Sequence, residues 1–194
     1  FHELAPYLGN NAYKENALNS PTKANPEKLK IAFCPTAPVE SQTPVVASTI
    51  IYGTAKTPWA YNGGEGSYGR NGWLYPIEIF TRVGQTPTAL DNSRYYFKWN
   101  EAKSDVPVFS DMIWVNAWPV ETDDIIKGTT RSNIDVKTGN RGTGVGRVCI
   151  NRHSMAVNVG FVGGHVERIP LSKLWNLQWN KSFKKIQNVS LMAK

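Results

Sequence analysis

The chain has 194 residues and a net charge of +7, with 22 Lys and Arg set against 15 Asp and Glu; hydrophobic residues make up 41%, including seven Trp, eight Tyr and seven Phe. That supply of apolar and aromatic side chains is enough for one packed domain over residues 1–194 and excludes general disorder. The basic balance is unclustered and matches ordinary solubility, so it points to no specific nucleic acid, and no run of 18 apolar residues is present to span a membrane.

Phe1 to Leu8 places Leu4 and Leu8 on one helix face without an initiating Met, as if a helix had been cut or processed upstream. Residues 1–30 read as a connection following that missing helix, polar from residue 9 onward and broken by Pro21 and Pro26. A first strand is expected at Lys30 to Cys34, ended by Pro35, and a second at the β-branched run Val45 to Tyr52. The 16 Gly and 12 Pro elsewhere leave little room for long helices and favour antiparallel sheet.

Residues 57–76 alternate Gly with Trp59, Tyr61, Tyr68 and Trp73, which suits tight loops laid over flat rings. Gly64-Glu65-Gly66-Ser67-Tyr68-Gly69 has the glycine spacing of a dinucleotide site, but no buried strand precedes it and Asn71-Gly72 turns the chain where a helix should begin. Strands are expected at Tyr95 to Trp99 and Val106 to Trp114. Residues 121–146 turn polar and read as a long exposed excursion. At its end Gly139 to Arg147 lacks the Gly-Lys-Ser/Thr that grips phosphate, leaving a loop with two arginines.

The last third carries the clearest pattern. Met155 to Phe161 and His165 to Leu171 are apolar-rich runs joined by Val162-Gly163-Gly164, the signature of a hairpin. Pro170 ends the second run, Ser172 is placed to cap a short helix, and Leu174, Trp175, Gln178 and Trp179 recur at helical steps. The Trp face should meet the core, with Lys173, Lys181, Lys184 and Lys185 in water.

Two constellations have chemical potential. Cys34 and Cys149 lie in apolar runs without zinc spacing and form either one long-range disulfide or two inert buried thiols. His153 and His165, with Glu167 or Asp111 as carboxylate, form a catalytic or metal pair on paper. Their spacing is that of no helix-borne metal motif, and no nucleophile with an activating base can be placed beside them. The simpler expectation is a His153 that hydrogen-bonds the turn, an exposed His165 and no enzyme.

His153, nine residues, then Gly163-Gly164-His165 resembles the ending of the prepilin-type processing-associated proteins of Planctomycetes and related bacteria, whose motif is a His, nine residues and Asp-Gly. Cys149 to His153 and Leu171 to Trp179 around it look similar, as do Phe33-Cys34-Pro35, Gly66 to Leu74 and Val106 to Pro119. Gly163 stands where the family has Asp, and since Gly-Gly also serves a tight turn, the substitution argues for a structural motif at His153, Gly163, Gly164 and His165.

The resemblance implies an α+β pilin-like fold: an antiparallel sheet head with a short C-terminal helix, its long N-terminal helix absent or truncated and supplying the only membrane contact. It implies a structural subunit of a type IV pilin-like or secretion pseudopilin-like assembly in the cell envelope, periplasmic or extracellular, with copies of itself or other pilin-like subunits as partners. No cofactor is expected, though some pseudopilins bind calcium near their sheet, and Asp123, Asp124 and Asp135 are the weak candidates for such an ion. The alternative is a secreted carbohydrate-binding module that stacks polysaccharide rings on Trp59, Tyr61, Tyr68 and Trp73.

Overall fold

The computed structural model describes residues 33–37, 50–61, 64–75, 92–123, 142–187 and 189–191. Among the described residues, eight strands form two sheets. β1 (Ile50–Ile51), β2 (Trp59–Tyr61) and β3 (Gly64–Gly66) make a small antiparallel sheet in that order. β4 (Tyr68–Asn71), β5 (Pro107–Asp111), β6 (Asn116–Ala117), β7 (Ala156–Phe161) and β8 (Val166–Pro170) make a larger one, ordered β6-β4-β5-β7-β8. The pairs are antiparallel except β4 with β6, which run parallel.

The expected hairpin is present and pairs Val157 with Ile169 and Gly160 with Val166. Along β7 the side chains of Val157, Val159 and Phe161 are buried while Asn158 and Gly160 between them are half-buried, the period of two that fixes register. In β8 only Ile169 is buried, which suits a strand at the sheet's edge. The turn differs in detail from a Gly-Gly pair with two positive φ angles. Gly164 donates to Phe161 O at 2.9 Å, Phe161 donates to His165 O at 3.0 Å, and only Gly164 is left-handed, at φ 83°. Gly163 instead sits in close quarters, where a Cβ would lie 3.0 Å from the Ser104 Cβ and 3.1 Å from the Ser104 O.

The hairpin delivers a 3-10 helix, Leu171–Asn176, in place of the expected α-helix. It begins at Pro170 without a side-chain cap, so Ser172 lies inside it and does not cap it. Both Trp175 and Trp179 are fully buried, with the Trp179 indole donating to Leu174 O at 2.8 Å. Lys173, Lys181, Lys184 and Lys185 are exposed, and Lys181 and Lys185 pair with Glu101 and Asp105. Among the described residues helical structure is confined to 3-10 turns, and no helix is long and apolar enough to cross a membrane.

Tyr95 to Trp99 forms no strand. It runs between 3-10 turns at Asn92–Arg94 and Trp99–Glu101, and Tyr95 and Tyr96 are buried by packing, Tyr95 edge-on to Trp73. The β propensity of such aromatics reports a fit to half-buried surface, which a loop also satisfies. Phe33 to Ala37 forms a turn closed by Ala37 N donating to Cys34 O, so no strand continues to Cys34; residues 30–32 and 45–49 lie outside the described residues, as do 1–30.

Glycine over aromatic, expected in residues 57–76, holds at Gly72, where a Cβ would fall 2.3 Å from the Trp118 indole. The polar excursion is packed at both described ends: Asp123 O accepts from the Trp175 indole N–H, Val145 is fully buried, and Trp118 N donates to Thr143 O. Its span 124–141 lies outside the described residues. Arg147, expected in a flexible loop, is buried and donates to Gly142 O and to the backbone and side chain of Asn116.

Candidate functional site

The densest polar cluster sits where β5 ends beside the start of β7. Asp111, the last residue of β5, is fully buried. Its Oδ1 faces Arg152 Nη1 at 3.2 Å, while Oδ2 accepts from the Asn158 backbone N–H at 2.7 Å and lies 3.1 Å from His153 Nε2. Arg152 is itself buried, and its remaining donors reach the carbonyls of Thr54, Ala55 and Ser67. One guanidinium thus ties the β1–β2 connection, the β3–β4 link and β5 together. A buried charge persists only with such a complement of partners.

His153 is held by a strained turn. Ser154 and Met155 both have positive φ, 51° and 60°, although neither is glycine. Each left-handed non-glycine residue costs roughly 1–2 kcal/mol, so the surroundings must over-determine the conformation. They do: Arg168 donates to the carbonyls of His153 and Ser154, Asn151 Oδ1 accepts from Met155 N, His153 N donates to Ala156 O, and Leu171 N donates to Met155 O. Backbone strain of this kind concentrates at functional positions. Its effect is to hold the imidazole of His153 against Asp111.

Cys34 completes the cluster from the Phe33 to Ala37 turn. Its Sγ lies 3.4 Å from His153 Nε2 and 2.9 Å from Thr36 Oγ1. Tyr68 shares a hydrogen bond with it; burial, with the neighbouring Cys34 and Asp111, pushes that phenol up to about 12, so it stays protonated. The donor atoms of Cys34, Asp111 and His153 all lie within 4.8 Å of one another. Both cysteines are buried and neither forms a disulfide in this structure, and Cys34 has His153 for a partner.

The two histidines do not meet. His153 adjoins the Ala156 and Pro170 end of the hairpin and His165 its far end, five residue pairs apart, a separation of roughly 15 Å at 3.3 Å per residue. His165 stacks on Phe161 at 4.7 Å and faces Glu167, exposed. Asp111 therefore belongs to His153, and Glu167 to His165.

Nor do the four candidate sugar-stacking rings form one platform. Trp73 is 4% exposed and donates to Pro119 O, Trp59 is half-buried with its indole N–H on Tyr68 O, Tyr68 turns toward Cys34, and Tyr61, at 37%, leans on Trp114. Of the calcium candidates, Asp123 uses Oδ2 to accept from the backbone of Val120 and Val145, which makes it a brace for the loop. Asp124 and Asp135 lie outside the described residues.

Sequence reasoning missed Arg152 and the Cys34 to His153 contact. An arginine two residues beyond the apolar run Val148-Cys149-Ile150 was the one available hint, since a charge drawn into the core beside such a run needs a partner. No protein-family model matches the chain, and no curated protein or solved structure matches it.

Proposed function

We propose that the chain is the sheet-rich head of a pilin-like or pseudopilin-like subunit of the cell envelope, acting by association with copies of itself or related subunits. The observation that carries this reading is convergence. Segments bearing the resemblance, at Cys34, Gly66 to Trp73, Val106 to Asp111 and His153 to Trp179, pack against one another around Asp111 and Arg152 or in the adjoining Trp core. They behave as the interior of one head, leaving the surface to make contacts.

Two features supply such contacts. Edge strand β8 exposes Val166 at 71%, and β1 exposes Ile50 at 63% and Ile51 at 48%. Apolar residues on a strand with an open edge favour pairing with another strand.

The test is photo-crosslinking of the protein in its native host with a probe at position 166, followed by electron microscopy of the cell surface. Self-crosslinks that Val166→Glu or Ile50→Glu diminish are expected. A protein that yields no crosslink to itself or to another pilin-like subunit, and stays monomeric at all concentrations, refutes the reading.

A further inference from the structure

His153 Nε2 has three polar neighbours besides its own ring: Asp111 Oδ2 at 3.1 Å, Asn158 Nδ2 at 3.1 Å and Cys34 Sγ at 3.4 Å. An imidazole nitrogen has one in-plane position, holding either a proton or a lone pair, so it satisfies one such partner well. Protonated, it suits Asp111 and opposes the Asn158 amide N–H; unprotonated, it suits Asn158 and opposes the carboxylate. The crowding has a simple resolution if the atoms face a shared cation.

We infer that Cys34 Sγ, Asp111 Oδ2 and His153 Nε2 form a three-ligand site for one divalent transition-metal ion, with zinc the ion their chemistry fits. With bond lengths of about 2.3 Å to sulfur and about 2.05 Å to nitrogen and oxygen, tetrahedral angles place N and S about 3.6 Å apart and N and O about 3.4 Å apart. The separations of 3.4 and 3.1 Å are within a few tenths of an ångström of those values.

The remaining valences also match. Asp111 Oδ1 is occupied by Arg152, and Oδ2, which accepts one backbone N–H, keeps a second lone pair. These outer contacts fix the carboxylate's orientation, as partners behind metal ligands do. One sulfur, one nitrogen and one oxygen suit zinc and exclude calcium, which takes six to eight oxygens.

On binding, the Cys34 thiol loses its proton to solvent and the thiolate bonds the ion, so binding weakens as pH falls. Water completes the fourth position. The ion acts as a clip, fastening the Phe33 to Ala37 turn to the ends of β5 and β7. Nothing in this inference depends on the assembly reading, since a monomeric head would bind the ion equally well.

The experiment uses the 194-residue chain, stripped with chelator under reducing conditions and titrated with cobalt(II), then with zinc(II). One equivalent of cobalt should produce a thiolate-to-cobalt charge-transfer band, and zinc should displace it and raise the melting temperature. Cys149→Ala should keep the band, Cys34→Ala should abolish it, and His153→Gln should weaken binding at least 100-fold. Asn158→Ala removes a competitor for Nε2 and should bind zinc as tightly as the unaltered chain or more so. Should a ligand variant fail to fold, zinc must still slow iodoacetamide alkylation of Cys34, and not of Cys149, in the unaltered chain. No charge-transfer band, a band lost with Cys149 instead of Cys34, or melting and alkylation indifferent to zinc would overturn the inference.

Discussion

Replacing Arg152 with methionine tests the central claim about the interior. The side-chain volume stays similar, but Asp111 loses its guanidinium partner and the carbonyls of Thr54, Ala55 and Ser67 lose side-chain donors. Breaking a buried ion pair from one side costs about 3–5 kcal/mol, and methionine's apolar packing offsets the further cost of leaving the carbonyls without those donors. The net loss should be about 3–5 kcal/mol, which for a chain of this size lowers the melting temperature by roughly 6–20 °C. Urea denaturation followed by tryptophan fluorescence measures it, and the double variant Arg152→Met with Asp111→Ala should be less damaged than the sum of the two single changes. A single variant within about 1 kcal/mol of the unaltered chain, or strict additivity in the double, would mean that the pair is not the buried brace described above.

Glu121 receives a two-pronged hydrogen bond from Arg94, which, against the opposing cost of burial, holds its carboxyl down at about 2 instead of the usual 4.5. A depressed carboxyl stabilises the fold above its ordinary value, so this contribution, about 1–2 kcal/mol after solvent screening, is full above about pH 4.5 and is lost as the pH falls toward 2. Glu121→Gln should flatten that part of the stability profile in urea titrations between pH 6 and pH 2.5, and an unchanged slope would count against the ion pair. Gly72→Ala should destabilise by about 1–3 kcal/mol, since its Cβ would enter the Trp118 ring; a neutral effect in thermal melts would show that the ring moves freely. Ser154→Gly should raise stability by about 1 kcal/mol by relieving the φ of 51°, detectable as a higher urea midpoint, and a loss of stability would refute the strain argument.

The parts of this fold legible in the sequence are those set by near neighbours. Met155 to Leu171 announced a hairpin because alternation and a glycine turn are local properties, and Trp175 and Trp179 announced a buried face through their spacing. The turn's inner geometry was not legible, because the close approach at Gly163 comes from Ser104, a residue remote in the chain. Tyr95 to Trp99 misled for the converse reason: burial by Trp73 decides its place, and β propensity cannot separate a packed loop from a paired strand. The candidate site was legible only in part. Asp111 was one of two carboxylates, with Glu167, offered to the histidines on paper, and only the β5 to β7 register and the left-handed turn at Ser154 set it against His153 and brought in Cys34.

The long reach of Arg152 and His153 bears on how the chain acquires its structure. Their partners lie 41, 85, 97 and 119 positions earlier, at Asp111, Ser67, Ala55 and Cys34. Contacts of such high order form late and slow the search for the native topology. During synthesis, Cys34 emerges on the order of ten seconds before His153 at roughly 5–20 residues per second. For that interval the strand edges and aromatic rings that emerge first lack the partners that later cover them, so the commitment to this fold waits until His153 has emerged.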